Sequence, residues 1–302
     1  MPQGLSLIES VIQYSKVEVQ WTILTLDGPS YDFMQKLNRD NFQVIHIEDF
    51  PDEGLRLSKL NRPWREFCWT SASCLLNYCL NLEEDAEFVA YIDADCFFFG
   101  DIAKMFESLG KNHTIGIHEH RFSKDRSEWL FKSGRFNVGV ICGRKSEEFI
   151  SCISHWRRQV IERCDVNQIE GRCGDQTYLN EWPDLYPGLH IFSELGVGLA
   201  PWNVSGTKLV MKGSQVFVES DPLYFYHFHG LEIGKSNRFL TLFVSAAGYA
   251  GIKGTYSLIY APYLASIVRM SALSGQSVSK ERSARWYLGH LLRKTLYLKL
   301  TR

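Results

Sequence analysis

Asp93 and Asp95 stand one residue apart, directly after the strand-length apolar run Phe88-Val89-Ala90-Tyr91-Ile92 and directly before Cys96-Phe97-Phe98-Phe99. Two carboxylates this close repel each other, and burying either one unpaired is costly. A chain that ends a buried strand in Asp-x-Asp is therefore preparing a seat for a cation. Carboxylate oxygens suit Mg²⁺ or Mn²⁺, which a protein commonly holds with one or two carboxylates together with the phosphates of its substrate. On a solvated loop or at a helix cap the same two residues would carry no such meaning. Here apolar sequence on both sides puts them in a crease at the carboxyl end of a strand, where ligands of open α/β sheets bind.

The elements that must position this pair follow from periodicity. Leu7, Ile8, Val11 and Ile12 share one helical face, which predicts a short helix over about 5–14. Val17 to Leu26 alternates and runs into Asp27-Gly28-Pro29, a strand and its turn. A helix near 30–37, a strand over 42–47 and a buried helix from Cys68 to Leu80 lead to the Asp-x-Asp strand. Short strands are expected at 114–117, 136–141, 189–192 and 223–228, with helices over about 146–163 and 174–181. After residue 238 the pattern turns helical. Strands alternating with helices imply βαβ units, hence an α/β fold with a mixed, mostly parallel sheet flanked by helices. The domain division expected is 1–237 for a catalytic domain and 238–302 for a C-terminal helical, basic amphipathic extension.

With 302 residues, 45% apolar and 22% charged, the chain has material for one large α/β domain and an appendage. A net charge of −1 gives no argument for nucleic acid as a partner. The charge is uneven, however. Residues 280–302 hold seven Lys/Arg against the single Glu281, which leaves 26 of the 33 basic and 33 of the 34 acidic residues for the rest. Trp286, Tyr287, Leu288, Leu291, Leu292 and Leu298 interleave with that basic charge, as in a helix lying on an anionic membrane surface or docked with a solvated basic face. The eight cysteines form no Cys-x-x-Cys pair and follow no signal segment, so reduced thiols in a cytoplasmic protein, peripheral on the inner face of the membrane, are expected. No apolar run is long enough to span a bilayer; the nearest, Phe239 to Ile252, is short and contains two glycines.

Three further motifs follow the Asp-x-Asp. Arg135-Phe136-Asn137-Val138-Gly139-Val140 resembles the Phe-Asn-x-Gly strand of glycosyltransferase family 8. Gly174-Asp175-Gln176 resembles its Gly-Asp-Gln, and Tyr226-His227-Phe228-His229-Gly230 its His-Phe-x-Gly. Taken alone, each has a plain reading: a strand entering a bulge, a helix cap, a core histidine. In this order they make the chain similar to GT-A glycosyltransferases. Arg65-Glu66-Phe67-Cys68-Trp69-Thr70, His118-Glu119-His120-Arg121-Phe122-Ser123 and Gly198-Leu199-Ala200-Pro201-Trp202-Asn203-Val204 resemble bacterial glycosyltransferases of surface-polysaccharide biosynthesis, over residues 5–235.

The resemblance implies Mn²⁺ or Mg²⁺ held by Asp93, Asp95 and His227, with His229 as a second candidate. It implies Asp175, Gln176 and Asn137 at the reacting centre, and a nucleotide-sugar donor, a UDP-sugar first, met by Ala94, Gly139, Trp202 and Gly230 besides the two aspartates. Arg65 and Arg121 would grip the donor diphosphate, for which a guanidinium offers paired donors; ordinary ion pairs are the alternative for both. Asn203 is a further candidate for lining the sugar subsite. The acceptor implied is a glycan or lipid-linked glycan, with membrane contact through 280–302, and the reaction implied is retaining. Members of the family begin with a strand that holds the nucleobase; this chain starts at Met1-Pro2-Gln3-Gly4, at the following helix, so the first nucleotide-binding strand is expected to be missing.

Three rivals fit less well. A haloacid-dehalogenase-like phosphohydrolase wants Thr or Val and then Gly-Thr behind its Asp-x-Asp, where Cys96-Phe97-Phe98 stands. A sugar-nucleotide nucleotidyltransferase should show a Gly-rich basic loop after its first strand. A non-catalytic GT-A-like protein would bind no nucleotide.

Overall fold

Phe136–Arg144 is buried along its length except at Arg144. A run covered on both faces belongs inside a sheet. In the computed structural model, which describes residues 1–82, 86–167, 171–235, 240–244, 255–276, 279–281 and 298–300, this strand is flanked by Phe88–Ile92 and Ile115–Glu119, antiparallel to both. Leu189–Phe192 then runs parallel to Ile115–Glu119, and Trp21–Thr25 forms a separate parallel pair with Phe42–His46. The helix Gly28–Lys36 joins the parallel pair Trp21–Thr25 and Phe42–His46, as the alternation of elements implies. The sheet is mixed, its middle pairings antiparallel.

The helix Glu147–Glu162 covers this sheet through Phe149, Cys152, Ile153, Trp156 and Val160, one apolar stripe at three- and four-residue spacing. The Ser146 hydroxyl caps it by accepting from the Phe149 N–H at 3.2 Å. Trp64–Leu80, longer than the helix expected from Cys68, adds Ala72, Leu76 and Leu80 to the same core.

Lys16–Ile92 and Ala103–Ser193 together make one compact unit; Met1–Ser15, Asp93–Ile102 and Glu194–Arg302 make a second. In the second unit Cys96–Phe98 pairs antiparallel with Phe225–His227 over an aromatic core. Phe228 stacks on Tyr263 of the helix Ala261–Ser274 with ring centroids 3.7 Å apart, and Glu9 of the helix Pro2–Tyr14 takes Ser266 and, at 2.8 Å, Arg269 of that same helix. The hairpin Leu209–Lys212/Gln215–Val218 escaped the sequence reading, although Gly213, at φ +61°, supplies the turn that closes it.

Beyond residue 238 the helical expectation holds for Ala261–Ser274 and the single π turn Tyr256–Tyr260 before it. It fails at Leu240–Val244, a strand antiparallel to Leu231–Lys235, and at the short edge strands Ser279–Glu281 and Leu298–Leu300. Leu240-Thr241-Leu242-Phe243-Val244 is rich in β-formers, and pairing decides its state. The basic helix expected over 286–298 lies outside the described residues, save Leu298, which is in the last strand. All eight cysteines are free thiols, and among the described residues no helix is long and apolar enough to cross a membrane.

One ion pair in the first unit sets a pH dependence. Arg157 donates to both oxygens of Asp52 at 2.6 Å, and Asp52 also caps the helix Glu53–Asn61 through the Leu55 N–H at 3.1 Å. Burial pushes the Asp52 carboxyl up, but the Arg157 and Leu55 hydrogen bonds outweigh it and hold the group below its usual range. The unfolded chain then binds this proton more readily than the folded one. The pair's stabilisation is thus full above the ordinary Asp value of ~3.9 and is lost as pH falls through the depressed folded value. Urea unfolding midpoints should show Asp52→Asn less stable than wild type by about 1–3 kcal/mol near neutrality, with the gap closing below about pH 4. A gap that stays constant into acid would refute the assignment.

Candidate functional site

Asp93 and Asp95 leave the strand Phe88–Ile92 at its carboxyl end, as their neighbours imply. Backbone pairing then brings His227 to Asp95. His227 lies opposite Cys96 in the antiparallel register, and the Phe228 N–H donates to the Asp95 carbonyl at 2.9 Å. The His227 Nε2 stands 3.1 Å from Asp95 Oδ1 and 3.7 Å from Asp93 Oδ2. His227 is buried, while both carboxylates remain about a quarter exposed, at 28% and 27%. One ligand atom each from Asp95, His227 and His229 lies within 4.8 Å of the others.

Burial pulls the His227 imidazole down, yet the Asp95 carboxylate, with Asp93 behind it, raises it above its ordinary value. For Asp95 burial pushes up, while His227 and more weakly His229 bring the carboxyl down overall. The donor set, carboxylate oxygen and imidazole nitrogen, fits Mn²⁺ or Mg²⁺ at Asp93, Asp95 and His227.

Asn137 and Gly139 lie in the strand Phe136–Arg144 of the other unit. A register shift between Gly116 and His118 in the neighbouring strand sets His118 opposite Asn137. The Asn137 carbonyl oxygen accepts from the Gly139 N–H at 2.9 Å, so its amide nitrogen faces His120 Nε2 at 3.2 Å and Gln176 Oε1 at 3.5 Å. An amide can only donate there. His120 Nε2 is therefore the acceptor, and Nδ1 carries the proton to the Gly134 carbonyl at 3.1 Å. Phe122, stacked on the His120 ring at 4.7 Å, fixes its plane. His120 lies within the segment His118–Ser123, whose sequence alone gives it no role.

Asp175 is 2% exposed and makes no capping bond to the 3₁₀ turn Gln176–Glu181 that it precedes, so the helix-cap reading does not describe its side chain. Its carbonyl accepts from the Trp156 indole at 2.9 Å, and Gly174, at φ +62°, takes a backbone shape that favours glycine.

The remaining candidates divide. Trp202 is buried with its ring edge-on to His227 and His229, at 5.4 and 5.7 Å. The Asn203 side chain staples its own loop, accepting from the Ala200 N–H and donating to the Gly198 carbonyl. Ala94 is exposed between the aspartates, and Gly230 turns the chain at φ +70° behind His229. Arg65 is exposed on the first turn of Trp64–Leu80. Arg121 sits at φ +51°, a conformation costly for an arginine. Arg121→Gly should raise stability by about 0.5–1 kcal/mol in thermal unfolding and weaken any diphosphate binding; lower stability would show that the strained backbone is not relieved by glycine.

Over 253 residues the chain is 30% identical to the uncharacterized protein YfnD of Bacillus subtilis (strain 168), covering 82% of this chain and 79% of that protein. With YfnF of the same organism it shares 29% identity over 241 residues, 78% of this chain and 79% of that protein. No family model matches the chain. Among solved structures, the galactosyltransferase LgtC in complex with donor and acceptor sugar analogs superposes with a TM-score of 0.52 at 13% identity, covering 95% of each chain. At that identity the likeness speaks for the fold, and the fold is GT-A.

Proposed function

We propose that this chain, which belongs to the family of Bacillus subtilis YfnD and has the GT-A fold, is a metal-dependent glycosyltransferase that uses a nucleoside-diphosphate sugar. The observation that carries the reading is the convergence of Asp95 and His227, with Asp93 at 3.7 Å, at the carboxyl end of a strand. The donor is a UDP-sugar, the acceptor a glycan or lipid-linked glycan of cell-surface polysaccharide, and the reaction retaining, in the manner of glycosyltransferase family 8. Residues 280–302 would rest on an anionic membrane surface, placing the protein on its cytoplasmic face.

Asp93, Asp95 and His227 would hold Mn²⁺ or Mg²⁺, which supplies positive charge against the charge that builds on the leaving diphosphate. Arg65 and Arg121 add guanidinium donors for phosphate oxygens, and Ala94, Gly139, Trp202 and Gly230 line the donor. Asn137, held in one orientation by Gly139 and His120, is a preorganised amide for the reacting sugar, and pre-positioning of this kind lowers the cost of reaching the transition state. Asp175 and Gln176 attend the anomeric carbon. In a retaining transfer the acceptor proton goes to the departing phosphate oxygen, so no enzymic base is required.

Thermal unfolding with UDP, GDP, CDP or dTDP, each with and without Mn²⁺, tests this directly. One nucleotide should stabilise the chain only when metal is present, by about 2.7 kcal/mol at a hundredfold excess over its Kd, and Asp93→Asn should lose the effect. No stabilisation by any of the four would refute the reading.

A further inference from the structure

We propose that His229 is an additional ligand of the cation held at Asp93, Asp95 and His227, and that this second imidazole makes the site select a transition ion over Mg²⁺. The inference rests on the metal reading above and sharpens it.

The strand Phe225–His227 ends in a turn that brings the His229 ring against that of His227, with centroids 5.7 Å apart. Phe228 is fully buried in the aromatic core, stacked on Tyr263 at 3.7 Å, which pins the chain between the two histidines. Both imidazoles stand on the Asp95 side. Trp202 touches each of them edge-on, and Gly230, at φ +70°, turns the chain away immediately afterwards. Two ligand atoms on opposite sides of a divalent ion are about 4–4.5 Å apart. The 4.8 Å limit within which the ligand atoms of Asp95, His227 and His229 fall is close to that span. His227 is buried whereas His229 is exposed, so the first is reached from one side only and the second from solvent as well.

The chemistry then decides the ion. Mg²⁺ binds oxygen and holds its waters tightly, whereas imidazole nitrogen suits first-row transition ions. Each nitrogen that replaces an oxygen moves the preference further from Mg²⁺.

Mn²⁺ bound to the metal-stripped full-length chain reports its nitrogen ligands by electron spin-echo modulation. Wild type should show two imidazole nitrogens and His229→Ala one. Mn²⁺ affinity should fall at least about tenfold in His229→Ala, which is the low end of what losing even an outer-sphere partner costs a metal site, while Mg²⁺ affinity measured by competition stays within about twofold. His229→Gln, which keeps the length of an exposed side chain, should behave as His229→Ala. A single nitrogen in wild type, or an unchanged Mn²⁺/Mg²⁺ ratio in both variants, overturns the role of His229 and leaves the metal reading standing. Mn²⁺ that fails to bind wild type, or binds Asp95→Asn equally well, overturns both.

Discussion

Asp95→Asn should abolish metal-dependent nucleotide binding and lower sugar transfer by ~10³-fold or more, a loss on the scale of removing a preorganised charge stabiliser from a transition state. The fold should survive, because the bond that locks this segment to the strand Phe225–His227 is made by the Asp95 carbonyl to the Phe228 N–H, which asparagine retains. What changes is charge. Asparagine presents a neutral oxygen where Oδ1 now faces His227 at 3.1 Å, and His227 loses the carboxylate that chiefly raises its affinity for a proton. Asp93→Asn should lose metal-dependent nucleotide binding as well, its carboxylate standing 3.7 Å from His227. Calorimetric titration with Mn²⁺, circular dichroism melting and turnover of UDP-sugars separate the outcomes. Wild-type transfer by a correctly folded Asp95→Asn chain would remove the site from the reaction altogether.

The approach of Asp93, Asp95 and His227 was largely legible because these residues announce themselves locally. An apolar strand cut off by Asp-x-Asp and an aromatic strand ending in His227 each break the pattern of a buried element, and broken patterns are where function sits. The strands and helices of the core were legible for the complementary reason: Phe149, Cys152, Ile153 and Trp156 repeat at helical spacing, and 136–143 is apolar or small except at Asn137. His120 was not legible. Its role arises from the register that sets His118 opposite Asn137 and from the acceptor left by the Asn137 amide, and neither exists before the sheet forms. His229 ranked below His227 because the motif names one histidine; the contact of the two rings, with centroids 5.7 Å apart, appears only in the fold. The strand Leu240–Val244 was misjudged as helix because a short apolar run has no period of its own, and its partner strand determined its state.

Gly196 shows how far the placing of His227 beside Asp95 depends on residues outside that contact. In the fold a methyl group there would stand 1.8 Å from the Pro222 carbonyl oxygen and 2.9 Å from the Leu223 Cα, both backbone and therefore unable to yield by rotating a side chain. The same glycine accepts from the Tyr224 N–H at 2.9 Å, and three residues on the Leu199 carbonyl accepts from the His227 N–H at 2.9 Å. The segment 196–199 is thus the rail against which the His227 strand is registered. Gly196→Ala should cost about 3 kcal/mol or more, at the upper end of what forced overpacking does. The displaced strand should also weaken Mn²⁺ binding by at least about tenfold with every ligand still present, the low end of the effect of disturbing a ligand's support. Gly206→Ala is the control. It meets open space but has φ +84°, so it should cost about 1 kcal/mol of backbone strain and leave Mn²⁺ affinity unchanged. If Gly196→Ala unfolds like wild type, or loses stability with its Mn²⁺ affinity intact, then the register of the His227 strand is set elsewhere, and Asp95 through its bond to Phe228 is the remaining anchor that can set it.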